Sequence, residues 1–199
     1  MKPPEDLRRR ILDASLELIA GEGLEAFSMR EVARRAGVSH QAPYHHFPDR
    51  EAIMAAIVTE GFALLRADLQ AARQPDASAA EWLTALGKAY VAFALRQPAH
   101  FKLMFRSELV NADRHDEARI SAEGALEVLT SAINDLARDM NREPDRLMPL
   151  MAWAVAHGLS TLLLEGKLKR LCGDSMQDQR AAADEVLERF QDLIRTSAD

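Results

Sequence analysis

The fold is decided by residues 27–53, FSMREVARRAGVSHQAPYHHFPDREAI. Ser28 and Glu31 have the S-x-x-E spacing of a capping box, in which each side chain satisfies a backbone donor of the other at a helix start. Apolar residues then recur at helical spacing, at Met29, Val32, Ala33 and Ala36. Gly37 ends this helix, because glycine enters the left-handed conformation without Cβ strain. Ser39 is placed to cap a second short helix, so the stretch is typical of a helix-turn-helix.

Pro43 distinguishes the second helix of this motif. It lies four residues after the predicted cap, where its ring removes one backbone donor and disfavours the α conformation at Ala42. The sequence therefore predicts a second helix that is kinked or that begins as a looser turn.

The motif resembles the N-terminal region of the tetracycline-repressor (TetR) family of bacterial transcription regulators. Gly37-Val38-Ser39, Tyr44, His46 and Phe47 stand at the spacing of the family pattern G-V-S-x-x-x-x-Y-x-H-F. The resemblance implies an all-α fold of about nine helices. It implies a three-helix DNA-binding domain, residues 1–48, followed by a larger helical domain, residues 49–199, for effector binding and dimerisation. A helical hairpin buried in another all-α protein is the alternative interpretation.

Two kinds of DNA contact are expected. Side chains at the start of the second helix reach base edges, which favours His40, Gln41 and Ala42. The resemblance assigns phosphate contacts to Ser28, Tyr44, His45 and Arg50. The complete predicted set is Ser28, Arg30, Ser39, His40, Gln41, Ala42, Tyr44, His45 and Arg50.

The overall charge gives little support for non-specific binding to nucleic acid. The net charge is −6, and residues 1–60 hold eight Lys and Arg against ten Asp and Glu. Basic residues are concentrated locally, at 8–10 and within 26–50, so we expect one cationic face and modest non-specific affinity. Cys172 is the only cysteine, which excludes an intramolecular disulfide. No long apolar run and no apolar leader is present, so a cytoplasmic protein without membrane contact is expected.

Helical patterns continue through the rest of the chain, and no strand pattern, internal repeat or low-complexity tract competes with them. The predicted helices cover about 5–20, the stretch from Asp49 to Gln74, 78–96, 98–105, 115–140, 149–170 and the residues after Gly173.

The segments 98–105 and 153–158 resemble a TetR subgroup with a W-H-G signature, here Trp153, His157 and Gly158. Trp153 and His157 are four residues apart, so they share one helix face. One ionisable group among bulky apolar side chains favours a small, mainly apolar or amphipathic ligand, and ordinary core packing is the alternative. The predicted effector-binding residues are Phe93, His100, Phe101, Met104, Phe105, Trp153 and His157.

The last two long helices carry more apolar surface than one chain needs, which indicates self-association. In the family that the sequence resembles, these helices form a four-helix interface between two subunits. The predicted interface residues are Leu159, Leu163, Val186, Leu187, Phe190 and Ile194. In the alternative interpretation, these apolar side chains pack inside the core of a single chain and form no interface.

Together these features predict a transcription regulator, a repressor released from a palindromic double-stranded operator by a small effector. The alternative is an architectural or partner-binding DNA-binding protein that senses no small molecule. Enzymatic activity is not expected, because the sequence has no G-x-S-x-G elbow, phosphate loop, H-E-x-x-H or cysteine pair. Adjacent His45 and His46 point in different directions and make a poor metal pair, so no metal or cofactor is predicted.

Overall fold

A computed structural model describes residues 4–111 and 113–196 of the chain, and in this part the secondary structure is entirely helical. The all-α prediction is confirmed. The described residues form nine α-helices: α1 Pro4–Glu22, α2 Met29–Arg35, α3 Arg50–Ala71, α4 Ala79–Arg96, α5 Pro98–Met104, α6 Asp116–Asp139, α7 Met148–Leu164, α8 Lys169–Cys172 and α9 Met176–Thr196. Short 3-10 helices cover Leu24–Ala26, Ala42–His45 and Ser107–Leu109.

The chain packs as two compact units. The first unit is Met1–Ala63 with Gln97–Ala122, and the second is Leu64–Arg96 with Glu123–Asp199. The first unit therefore contains α5 and the start of α6 as well as the helix-turn-helix. The predicted boundary after residue 48 separates a DNA-binding domain from an effector-binding domain, whereas the two units are defined by packing. The functional boundary stays a prediction.

The core of the first unit joins α1, α2, α3 and α5. Ile11 and Leu18 of α1 are fully buried against Ile53 of α3 and Phe47, which follows the second 3-10 helix. Leu103 of α5 is 1% exposed and belongs to the same core, although it lies fifty residues after Ile53 in the sequence. The helices of the predicted helix-turn-helix consequently share one apolar core with α5.

The second unit is built on α4, which packs against both α7 and α9. Leu187 of α9 lies so close to Gly87 of α4 that a Cβ at Gly87 would be 2.7 Å from Leu187 Cδ2. At the edge of this contact Lys88 Nζ pairs with Glu188 Oε1 at 2.5 Å. A separate apolar cluster joins α4, α6 and α7 through Ala79, Leu83, Ile133, Leu136 and Ala152.

The helix predicted over 149–170 is too long, because α7 ends at Leu164. Gly166 adopts φ 65°, and its N–H donates to the Leu163 carbonyl at 3.0 Å. The Lys167 N–H donates to the Leu162 carbonyl at 2.9 Å, which completes a Schellman-type end. The helix stops where glycine permits the left-handed conformation.

No helix among the described residues is both long enough and apolar enough to cross a membrane.

We expect Leu18→Ala to lower the free energy of unfolding by about 2–5 kcal/mol, because it opens a cavity in a fully buried core. Urea denaturation followed by circular dichroism measures the change. Glu17→Ala is the matched control, since Glu17 is the exposed neighbour on the same helix, and its effect should stay within about 0.5 kcal/mol. Equal effects of the two substitutions would contradict the described core.

Candidate nucleic-acid interface

The first helix of the motif begins with a side-chain cap. The Glu31 N–H donates to Ser28 Oγ at 3.2 Å, which confirms the serine half of the predicted capping box. The Glu31 carboxylate does not complete the box. It accepts hydrogen bonds from Arg34 at 2.6 and 2.8 Å and from Arg35 at 3.2 Å. The bond from Arg34 is the main reason why the pKa of Glu31 falls to about 2.

The turn after α2 has the predicted glycine at its centre. Gly37 has φ 66°, the left-handed conformation. Arg10 of α1 donates to the Ala36 carbonyl at the end of α2, and its Nη2 atom would lie 3.5 Å from a Cβ at Gly37. Arg10 therefore holds the turn, a structural role that its position in a basic cluster did not indicate.

The second helix of the motif is a 3-10 helix, Ala42–His45, so the segment is looser than an α-helix around Pro43, where a kink or a looser start was predicted. The Ala42 N–H donates to the Ser39 carbonyl at 3.0 Å, and the Tyr44 N–H donates to the Gln41 carbonyl at 3.1 Å. Its N-cap is Gln41, so the predicted cap at Ser39 is wrong. Proline at the second position explains this shift, because it requires no backbone donor there and turns its ring into the core.

The residues predicted to contact DNA are almost all exposed. Tyr44 is 49% exposed despite its aromatic ring, and only Ala42 is half-buried. The side chains of His40 and Gln41 contact each other, with 3.1 Å between the two Nε2 atoms. The exposed members of the predicted set are Ser28, Arg30, Ser39, His40, Gln41, Tyr44, His45 and Arg50.

Arg50 is held in place beside this surface. Its guanidinium lies 5.2 Å from the centre of the Phe27 ring, and Nη2 donates to the Leu24 carbonyl at 3.4 Å. A cation fixed at the first residue of α3 is suited to a phosphate oxygen.

Ion pairs reduce the positive charge that the sequence suggested. Arg34 and Arg35 pair with Glu31, and Arg9 pairs with Asp13 and Glu60. Arg30 and Arg50 have no carboxylate partner in the described part of the chain. The cationic face is therefore narrower than the count of arginines within 26–50 indicated.

This arrangement, a capped helix, a glycine turn and a short exposed second helix on a buried core, defines a helix-turn-helix DNA-binding protein. A model of bacterial regulatory proteins of the tetR family matches residues 11–57, and a model of the tetracyclin repressor-like C-terminal domain matches residues 83–195. The second match covers more than half of the chain. The chain belongs to the TetR family of transcriptional regulators, and it is a DNA-binding regulator and not an enzyme.

Two transcriptional regulators are similar in sequence. The chain is 35% identical to the HTH-type transcriptional regulator BetI of Rhizobium meliloti over 79 residues, which are 40% of this chain and 39% of that protein. It is 24% identical to the HTH-type transcriptional activator FasR of Mycolicibacterium smegmatis over 186 residues, which are 94% of this chain and 82% of that protein.

Solved structures share the fold over nearly the whole chain. A regulatory protein of the tetR family from Rhodococcus RHA1 has a TM-score of 0.73 at 23% identity, covering 93% of this chain and 95% of that one. The transcriptional regulator FadR from Bacillus subtilis was solved in complex with stearoyl-CoA. It has a TM-score of 0.71 at 18% identity, and the match covers 90% of this chain and 96% of that one. The matched C-terminal model neither confirms nor excludes the W-H-G subgroup.

Four of the predicted effector residues lie in the first unit, on or just after α5. His100, Phe101 and Met104 are buried, and the ring of Phe105 packs edge-on against the rings of Phe101 at 5.4 Å and Phe62 at 5.6 Å. Phe101, Met104 and Phe105 form one apolar group beside Gly61 and Phe62 of α3.

Glu60 links the same helix to α1. His100 Nε2 lies 3.2 Å from Glu60 Oε1, and Arg9 Nη1 donates to Glu60 Oε2 at 2.7 Å. Burial lowers the pKa of His100, although the neighbouring Glu60 opposes that shift. Position 61 has no side chain, and a Cβ there would lie 2.6 Å from Met104 Sδ. Helix α5 therefore approaches α3 closely next to this polar link.

The other three predicted effector residues, Phe93, Trp153 and His157, lie in the second unit. Phe93 is fully buried. Trp153 Nε1 donates to the Tyr90 hydroxyl at 3.2 Å, and that hydroxyl lies 2.9 Å from His157 Nδ1. Because an indole N–H can only donate, the tyrosine hydrogen is available to His157, whose Nδ1 then accepts. Burial lowers the pKa of His157 and raises that of Tyr90.

Tyr90 is the residue of this cluster that the sequence pattern did not assign to a site, because its spacing on α4 matched ordinary core positions. The structure thus places the seven predicted effector residues in two groups, one in each unit. Whether they bind an effector stays a prediction.

The predicted dimer residues differ in exposure. Leu163 and Leu187 are buried inside the second unit, so neither offers a free surface. Val186 is 44% exposed, whereas Leu159, Phe190 and Ile194 are half-buried. Large apolar side chains that the prediction omitted are exposed on α7 and α9: Leu150, Met151, Leu162, Met176 and Leu193. A Cβ at Gly158 would meet no atom within 4 Å, which leaves open space on α7.

We expect His100 to make stability fall on acidification. Burial lowers its pKa in the folded state, so the unfolded chain takes up a proton at higher pH than the folded chain does. This contribution to stability is complete above the unfolded pKa of about 6.5 and decreases as the pH falls below it.

The free energy of unfolding is measured at several pH values above and below the unfolded histidine pKa of about 6.5. It should decrease less on acidification for His100→Gln than for the wild type, because glutamine stays neutral and can still donate to Glu60. His45→Gln, which replaces an exposed histidine, is the control and should keep the wild-type slope. An unchanged slope for His100→Gln would contradict the burial effect.

Proposed function

We propose that this regulator is a homodimeric repressor that binds a palindromic operator and is released by a small, mainly apolar effector. The observation that supports operator binding most strongly is the exposed row of Ser39, His40, Gln41 and Tyr44, fixed to a buried core and flanked by Arg50. Polar side chains in this position have hydrogen-bonding groups suited to base edges and phosphates. This function places the protein in the cytoplasm, where the operator is.

His40, Gln41 and Ala42 are proposed to read bases, and Ser28, Tyr44, His45 and Arg50 to hold phosphates. The division follows chemistry, because an exposed amide can pair with adenine in the major groove, whereas a hydroxyl or guanidinium binds phosphate in any sequence. Arg30 is exposed beside them and supplies an unneutralised cation.

Dimerisation is supported by the exposed apolar residues of α7 and α9. Val186 and Leu193 of α9 are 44% and 63% exposed, and Leu150, Met151 and Leu162 of α7 are exposed as well. Several large apolar side chains exposed on two helices are typical of an interaction surface. A two-fold dimer places two recognition segments one helical turn of DNA apart, about 34 Å, or a multiple of it, which matches a palindromic site.

Effector release is supported by the packing of α5. Phe101, Met104 and Phe105 lie against α3, and α3 begins at the phosphate-binding Arg50. A ligand can change DNA affinity only if it binds one arrangement of these helices more tightly than the other. FadR, which has a similar fold, was solved in complex with stearoyl-CoA, so we choose stearoyl-CoA as the first probe.

The second candidate, a DNA-binding protein without an effector, is favoured by the close packing of Met104 against position 61 and of Phe101 against Phe105, because side chains in contact leave less room for a ligand. A thermal-shift titration with stearoyl-CoA and with fatty acids of several lengths distinguishes the two. Saturable stabilisation accompanied by loss of operator binding supports the sensor.

The function itself is tested by selecting bound duplexes from a random DNA pool with the full-length protein. We expect an enriched inverted repeat. A pool without an enriched motif at physiological salt would contradict sequence-specific binding.

We expect Gln41→Ala to cost about 1–3 kcal/mol of operator affinity and to relax the preference at one base pair. Tyr44→Phe should weaken binding to all sequences alike, because it removes one phosphate contact. Binding to a panel of single-base operator variants measures both effects. A changed base preference in Tyr44→Phe, with none in Gln41→Ala, would reverse the assignment.

We expect the double substitution Val186→Asp with Leu193→Glu to give monomers, because it places charges on the proposed interface of α9. Analytical ultracentrifugation at micromolar concentration measures the mass, and operator binding should be lost with the dimer. Ile120→Glu is the matched control, since Ile120 of α6 is 57% exposed but lies outside α7 and α9. A wild-type protein that sediments as a monomer would contradict the proposal.

A further inference from the structure

Glu51, in the first turn of α3, is the centre of a polar cluster that reaches the start of α6. Glu51 Oε1 accepts a hydrogen bond from the Asn111 N–H at 2.9 Å, and Oε2 accepts one from Arg114 Nη1 at 2.6 Å. His115 Nε2 lies 3.4 Å from Oε1. Three residues of the segment 111–115, which precedes α6, therefore converge on one carboxylate of α3.

Arg114 also reaches the residue that caps α3. Its Nη2 atom lies 3.5 Å from Asp49 Oδ2, while Asp49 Oδ1 accepts from the Ala52 N–H at 2.8 Å. One guanidinium thus bridges the carboxylates of Asp49 and Glu51. A rigid, planar cation suits this bridge, because its donors can engage two carboxylates at once.

Arg50, between these two carboxylates, is held by other parts of the unit. Its guanidinium lies over the Phe27 ring and donates to the Leu24 carbonyl, and both residues belong to the segment that precedes α2. Three consecutive residues therefore join the start of α6, through Asp49 and Glu51, to the phosphate-binding surface, through Arg50.

The contact is polar and borders open space. A cleft of about 380 Å³ lies between Ala52, Ala55 and Ala56 of α3 and residues 114–118. The α3 wall of this cleft includes these small alanine side chains. Charged pairs that are partly exposed contribute little stability individually, so this link can break without unfolding the unit.

We propose that Asp49, Glu51 and Arg114 are positioning residues that couple the start of α6 to the recognition segment, residues 39–46. A displacement of the start of α6 pulls on the cap and first turn of α3, and hence on Arg50 and the residues before it. The consequence for operator binding rests on the function proposed above. The mechanical link itself does not, and it is tested without DNA.

The test is hydrogen–deuterium exchange of the full-length protein as the wild type, Glu51→Gln, Arg114→Gln and the double variant. We expect amide exchange in peptides covering residues 38–50 to rise roughly two- to fivefold in each single variant, with no further rise in the double variant. Melting temperatures should change little. Glu117→Gln is the control, because Glu117 borders the same cleft without pairing with Arg114.

Unchanged exchange at 38–50 in both single variants would overturn the proposal, even if residues 113–118 exchanged faster. Arg114 is exposed enough for its substitution to leave folding intact, so a failure of Glu51→Gln to fold does not prevent the test. Operator affinity, measured on a duplex from the selection above, should fall in Arg114→Gln and not in Glu117→Gln. If no DNA motif is enriched from the random pool while amide exchange responds as expected, the proposed operator binding is wrong, and the coupling between the start of α6 and the recognition segment is still supported.

Discussion

The burial of Leu103 in the core of α1, α2 and α3 is the constraint on which the rest of the structure depends. A three-helix domain of some fifty residues buries little apolar surface and is marginally stable alone. By inserting one leucine from α5, the chain completes that core with a residue from outside the motif. The helix-turn-helix and α5 consequently belong to one packed body. A displacement of α5 would therefore change the packing of the DNA-binding helices.

Polar links reinforce this apolar one. Glu60 joins His100 of α5 to Arg9 of α1, and Glu51 joins the start of α6 to the first turn of α3. The apolar contact fixes which helices move together. Breaking the polar contacts costs less free energy than opening the apolar core. The polar contacts can therefore change during a conformational change while the fold is maintained.

Local signals in the sequence predicted local features well. Ser28 caps α2, Gly37 takes the left-handed turn and Pro43 produces a looser second helix, because each effect depends on neighbours within four residues. Contacts between distant residues carry no such signal. Nothing in the spacing of Arg10 indicated that it would bind the carbonyl of Ala36, and Leu187 had the same periodicity as the exposed residues around it although it is buried against Gly87. The predicted effector residues fell into two units for the same reason, since helical spacing assigns a face but not the partner of that face.

Native-state hydrogen exchange of the full-length protein in increasing urea measures whether α5 and the DNA-binding helices form one cooperative body. We expect the amides around Leu103 to merge with those around Ile11, Leu18 and Ile53 into one opening transition with a common free energy and urea dependence. If the amides of α5 opened at lower urea while those of α1 and α3 stayed protected, the core would not depend on Leu103, and α5 would not belong to one cooperative body with these helices.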